Sequence, residues 1–174
     1  MLKLPFKKVW KLSDDELRAF SNKEKRSISG HLGELIVQEY FNINGYNAVL
    51  SEDDYDMEKD ITLNGKEKVQ VKTRYPHYQR NLCSTKIEDW KFIQHVDRLI
   101  HLLPPEEDNL NFKLIEVIDK TKFKIYDTKQ GRKMMGWCLS TNCKVLKTFK
   151  NPRLSQIFRI LSVSDYDIVK KEYA

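Results

Sequence analysis

Cysteine, glycine and proline are all scarce in this chain, and long apolar runs are missing altogether. Three cysteines, Cys83, Cys138 and Cys143, are few and odd in number among 174 residues, which speaks against a disulfide framework and leaves them expected as reduced thiols. Their spacing to His77 or His95 matches no zinc motif, so a structural zinc is excluded on pattern. Six glycines and five prolines form no rich tract in the middle of the chain, and no internal repeat or low-complexity segment interrupts it. No stretch approaches the roughly 20 apolar residues that a membrane helix needs. The lysine-bearing first ten residues lack the apolar core of a signal peptide. The expectation is a cytoplasmic protein with no membrane association.

What is present suits one folded unit. Hydrophobic residues make up 40% of the chain, enough to bury one good core, so residues 1–174 are expected to form a single domain. Lysine and arginine number 31 against 25 aspartates and glutamates, a formal charge of +6. That excess suits a polyanionic partner but does not single one out.

Local patterning then places the elements. Ser13 and Glu16 have capping-box spacing, so 14–20 reads as a short helix. The Lys/Arg-rich stretch 22–26 reads as a linker, and 27–44 as a longer helix, because Ile28, Leu32, Leu35, Ile36, Tyr40, Phe41 and Ile43 recur at helical spacing. Ser27, His31, Glu34 and Gln38 stack along its polar flank. Gly45 ends it, and the period changes to two. Tyr46, Ala48 and Leu50 mark a strand, and 60–63 and 67–73 mark two more, joined around Asn64-Gly65.

A two-residue turn there would set Asp60 opposite Val69 and mix polar with apolar side chains on each face. A three-residue loop or a bulge sets Asp60 opposite Gln70 and Ile61 opposite Val69, and this odd register is the expected one. It puts Asp60, Gln70 and Lys72 on one face of the hairpin and Ile61, Leu63, Val69 and Val71 on the other. Further on, 74–80 reads as a basic and aromatic loop, 87–95 as a short helix, and 98–103 as a buried strand ending at Pro104-Pro105. Residues 114–118 and 123–126 read as a hairpin. Leu154, Ile157, Phe158 and Leu161 read as one face of a helix from 152 onward, and Ser164 or Asp165 as the cap of a last one.

The chemistry follows from the polar face of that hairpin. Hydrolysing a phosphodiester needs an activated water, in-line geometry and neutralisation of charge on the phosphoryl oxygens, and a divalent metal meets all three needs. Magnesium takes oxygen ligands: the Asp60 carboxylate, the side-chain carbonyl of Gln70 and the backbone carbonyl of Val71 are the candidates, with Lys72 directed at the attacking water or the phosphate. Asp53, Asp54 and Asp56 compete with Asp60, Asp56 most closely. Asp60 is preferred because Ile61 and Leu63 follow it in alternation.

Gly33-Glu34 on a helix, Gly45-Tyr46 before a strand, Asp60-Ile61, and then Val69-Gln70-Val71-Lys72-Thr73 together resemble the PD-(D/E)xK nuclease superfamily over about 27–103. The resemblance implies an α/β fold with a restriction-endonuclease-like core, a central mixed sheet flanked by helices. It implies magnesium, with manganese as a substitute, held by Glu34, Asp60 and Gln70, and Lys72 assisting the nucleophile. Glutamine at position 70 departs from the acid usual there and removes one negative charge, although some members of the superfamily carry it. The implied activity is that of a type II restriction endonuclease on double-stranded DNA. A Holliday-junction resolvase is the second choice within the superfamily, and a catalytically silent nucleic-acid-binding module and an RNA nuclease are the further alternatives. Arg74, Tyr75, His77, Tyr78 and Arg80 follow the catalytic strand as candidates for phosphate contacts and base stacking, and Lys7, Lys8 and Lys11 as an arm on DNA. Residues 111–174 are expected to supply a recognition or dimer surface. A homodimer is expected from the family, since cutting both strands calls for two sites.

Overall fold

The computed structural model describes residues 5–52, 59–76 and 80–162. Three helices come first. Helix α1 (Phe6–Trp10) starts after Pro5, and α2 (Asp14–Ala19) starts at a Ser13/Glu16 capping box. Helix α3 runs Asn22–Ile43, and here the sequence reading is corrected. The basic stretch 22–26 is the helix's opening turn, because Ser21 and Glu24 close a second capping box, with each side chain bonding the other's backbone N–H at 3.0 and 3.1 Å.

The main sheet has the order β1-β2-β3-β5-β6-β9 among the described residues: β1 is Ala48–Leu50, β2 Ile61–Leu63, β3 Glu67–Thr73, β5 Arg98–Leu103, β6 Phe112–Val117 and β9 Cys143–Phe149. All its pairings are antiparallel except β3 with β5, so the sheet is mixed. Helix α3 and the closing helix α5 (Pro152–Leu161) cover one face. The expected α/β class with a mixed sheet flanked by helices is therefore what forms. Gln38 and Asn42 tie α3 to the first strand: Gln38 Nε2 donates to the Ala48 carbonyl at 3.1 Å, and Ala48 N donates to Asn42 Oδ1 at 2.8 Å.

A second, three-stranded sheet of order β4-β8-β7 lies on the other side, with β4 at Leu82–Lys86, β7 at Lys124–Asp127 and β8 at Lys133–Cys138. The two sheets share a small core of Cys83, Ile93, Leu99, Leu103, Ile115, Val117, Met135 and Trp137. A 3-10 turn, Ile87–Asp89, and the short helix α4, Trp90–Ile93, lead from β4 back to β5. The three cysteines are free thiols.

The hairpin expected at 114–118 and 123–126 does not form. Those residues fall in β6 and β7, which belong to different sheets: β6 pairs with β5 and β9, whereas β7 pairs only with β8 among the described residues. From residue 111 onward, β6 and β9 complete the main sheet, and Leu154, Ile157, Phe158 and Leu161 enter the helix-side core. Residues 53–58, which hold the rival aspartates, residues 77–79, with His77 and Tyr78, and the last helix expected after Ser164 lie outside the described residues.

Candidate active site

Strand β3 is the centre of the arrangement, flanked by β2 and β5, and its side chains alternate between two different environments. Ile61, Leu63, Val69 and Val71 face the helices and are buried there. Gln70 and Lys72 face the other way, beside Leu99 and His101, their register partners on β5. The hairpin register is the odd one. Ile61 lies opposite Val69 and Leu63 opposite Glu67 across the three-residue loop Asn64-Gly65-Lys66. Positive φ at Asn64 (51°) and Gly65 (69°) makes that loop, which favours these two residue types.

Asp60 continues the ladder. Its N–H donates to the Val69 carbonyl at 2.9 Å, and its carboxylate Oδ2 accepts from Val71 N at 2.7 Å. The carboxylate is thus seated on the Gln70–Val71 peptide. Gln70 itself is 9% exposed, and its side-chain carbonyl oxygen is fully buried with no hydrogen-bond partner. An unsatisfied buried acceptor costs about 1–3 kcal/mol, so its persistence calls for a compensating role.

Lys72 points into the seam between the sheets. Its Nζ lies 2.9 Å from Asp89 Oδ2, and the Thr85 hydroxyl donates to the same oxygen at 2.9 Å. Burial pushes the Asp89 carboxyl up, but Lys72, Thr85 and Arg74 more than offset this and hold it below its ordinary 3.8. His101 is fully buried, and neither ring nitrogen has a partner. Burial, together with the charges of Lys72 and Arg74, brings its pKa down to about 3, so the ring is neutral at ordinary pH.

Glu34 comes from helix α3. Helix α3 reaches the end of β3 at Gly33, where a Cβ would stand 1.9 Å from Thr73 Oγ1, so only glycine allows the helix so near. The next residue, Glu34, meets His31 Nδ1 at 3.4 Å. The structure thus places Asp60, Gln70, Val71 and Lys72 on adjoining positions of β2 and β3, and Glu34 on α3 one residue after the Gly33–Thr73 contact at the end of β3. No three His, Cys, Asp or Glu side chains among the described residues are grouped to hold a metal ion. A cation taken up at β3 would therefore depend on the Gln70 amide and backbone oxygen as well as on carboxylates.

The basic candidates divide in the same way. Arg74 and Lys72 both act on Asp89 and His101, so they share one polar patch. Tyr75 is half-buried with its hydroxyl wholly buried, and that burial pushes its pKa up to about 12. The Arg80 guanidinium stacks over Tyr126 at 4.7 Å. Lys7, Lys8 and Lys11 are exposed on and just after α1. Lys7 and His31 line a groove of about 440 Å³ between α1 and α3, which places Lys7 on the Glu34 flank.

Sequence reasoning missed Thr85, Asp89 and His101. His101 had a usable signal, one polar residue interrupting the apolar run that follows Arg98 in that strand. Asp89 had none, because the β4 turn that delivers it belongs to a different sheet. No protein-family model and no curated protein matches the chain.

Proposed function

We propose that this protein is a magnesium-dependent DNA endonuclease of the restriction type, with Glu34, Asp60, Gln70 and Lys72 as its working residues. The single observation that carries the reading is the buried, unpartnered carbonyl oxygen of Gln70, one residue before the Val71 N–H that the Asp60 carboxylate accepts, on the strand face that also bears Lys72. That donor set fits a hard divalent cation, which requires oxygen ligands and satisfies an orphaned acceptor. Asp60 and Gln70 would hold it, with the backbone carbonyl of Val71. The Val71 N–H is turned to Asp60, and the carbonyl of the same residue in an extended strand turns to the same side. Bound magnesium would supply charge neutralisation at the phosphate and an acidified water.

The chain's own groups do the rest. Asp60 and Glu34 supply the negative charge of the site. Gln70 adds an oxygen without charge, which weakens affinity for the cation relative to a carboxylate. Lys72 presents a compact positive charge where negative charge builds on the phosphoryl oxygens. Arg74, on the same patch, is suited to a backbone phosphate. The restriction-endonuclease-like core and a homodimer that brings two such sites to the two strands belong to the same proposal.

Incubating the purified protein with plasmid and phage DNA, with magnesium or with chelator, tests it. The reading expects discrete fragments with magnesium only, and none from Asp60→Ala. Cleavage confined to four-way junctions would move the reading to a resolvase. DNA binding that ignores metal, with no cleavage of any duplex, would move it to a silent binding module.

A further inference from the structure

Lys72 is already engaged, and its partner is not one of the residues that would hold the cation. Its ammonium meets Asp89, which ends the 3-10 turn after β4 and so reaches across from the smaller sheet. The same carboxylate oxygen accepts the hydroxyl of Thr85, the fourth residue of β4. The side chains of Lys72 and Asp89 are 20% and 24% exposed. A pair this sheltered is screened less by salt than a surface pair and loses less to side-chain motion. Beside it His101 is neutral and wholly buried, so it brings no rival charge.

We infer that Asp89 is a positioning residue of the active centre: its carboxylate, fixed by the Thr85 hydroxyl, sets where the Lys72 ammonium points. The inference rests on the nuclease reading given above. Lysine is a flexible chain ending in a point charge, and misplacing such a group by about 1 Å can cost roughly 100-fold in rate. Asp89 also puts on this face the second carboxylate that glutamine at position 70 does not provide. The smaller sheet, which is not hydrogen-bonded to β3, thereby becomes part of the working site.

The experiment compares Asp89→Asn, Thr85→Val and Thr85→Ser with the unaltered protein in magnesium-dependent plasmid cleavage, and follows lysine ammonium groups by nitrogen-15 NMR, with Lys72→Ala assigning the signal. Asp89→Asn should lower kcat roughly 100-fold while KM and DNA affinity stay put. Thr85→Val should lower kcat less, and Thr85→Ser, which keeps the hydroxyl, should restore it. The Lys72 ammonium signal should be visible in the unaltered protein and lost in Asp89→Asn. A folded Asp89→Asn that cuts at the normal rate and keeps the signal would overturn the inference, as would equal losses from Thr85→Val and Thr85→Ser. If the unaltered protein cuts no DNA, the nuclease reading falls and the catalytic role of Asp89 with it. The ammonium signal then still decides whether Asp89 holds Lys72.

Discussion

The two faces of strand β3 are built to opposite rules. On the helix face Val69 and Val71 enter a closed apolar core, and Thr73 is pressed by Gly33 so closely that no side chain fits between. On the other face, one residue away each time, stand a glutamine with a buried orphan oxygen and a lysine held by an aspartate, next to a neutral histidine with two orphan nitrogens. Buried polar atoms without partners oppose folding. One such atom, the Thr73 hydroxyl, lies on the helix face too, but the other face joins its orphans to the Lys72–Asp89 pair, and that is the face assigned to chemistry.

Lys72→Ala should lower cleavage roughly 100- to 1,000-fold while DNA binding persists, measured by plasmid cleavage and by gel shift. A comparable rate would take Lys72 out of the chemistry. Next comes His101. Between its ordinary 6.5 and about 3 the unfolded chain binds a proton that the folded chain refuses. Stability is therefore full above the ordinary value and should fall as the pH drops through that window, by up to about 1.4 kcal/mol per pH unit. Urea titrations across the window should show the slope flattened in His101→Phe.

On the helix face, Gly33→Ala should cost about 1–3 kcal/mol, although alanine ordinarily stabilises a helix interior by up to about 1 kcal/mol. Adding Thr73→Ala should recover part of the loss, and thermal melts of the three variants would show it. The smallest effect should have the opposite sign. Gln70→Leu removes an unsatisfied oxygen and should raise stability by about 1 kcal/mol while cleavage disappears. A stabilised and still active Gln70→Leu would remove the functional meaning of the orphan oxygen.

How much of this was legible in the sequence depends on how local the cause is. The long helix, the hairpin and its odd register were readable, because period and turn chemistry lie within a few residues of each other. The start of α3 was misread, since the basic run after Ser21 hid a capping box that Glu24 completes. Strand β4 escaped notice because Cys83, Ser84 and Thr85 are small or polar yet all buried, so no alternation marks it. Strand β9 escaped for the reverse reason: as an edge strand carrying Lys144 and Lys147 it is mostly exposed. The pairing of Leu114 and its neighbours was assigned to the wrong partner, because sheet membership is decided by packing that no window of sequence contains. For the same reason Asp60, Gln70 and Lys72 could be named in advance, whereas Asp89, delivered by the second sheet, could not.

Calorimetric titration of manganese or magnesium into the unaltered protein, Asp60→Ala, Gln70→Leu and Gln70→Glu tests most directly whether the polar face of β3 holds a cation. A cation held there gives a single binding event in the unaltered protein, weakened at least about tenfold by Asp60→Ala and by Gln70→Leu, and tightened by Gln70→Glu, where a charge replaces a dipole. Equal affinity in all four proteins, or no binding to the unaltered chain, would contradict it.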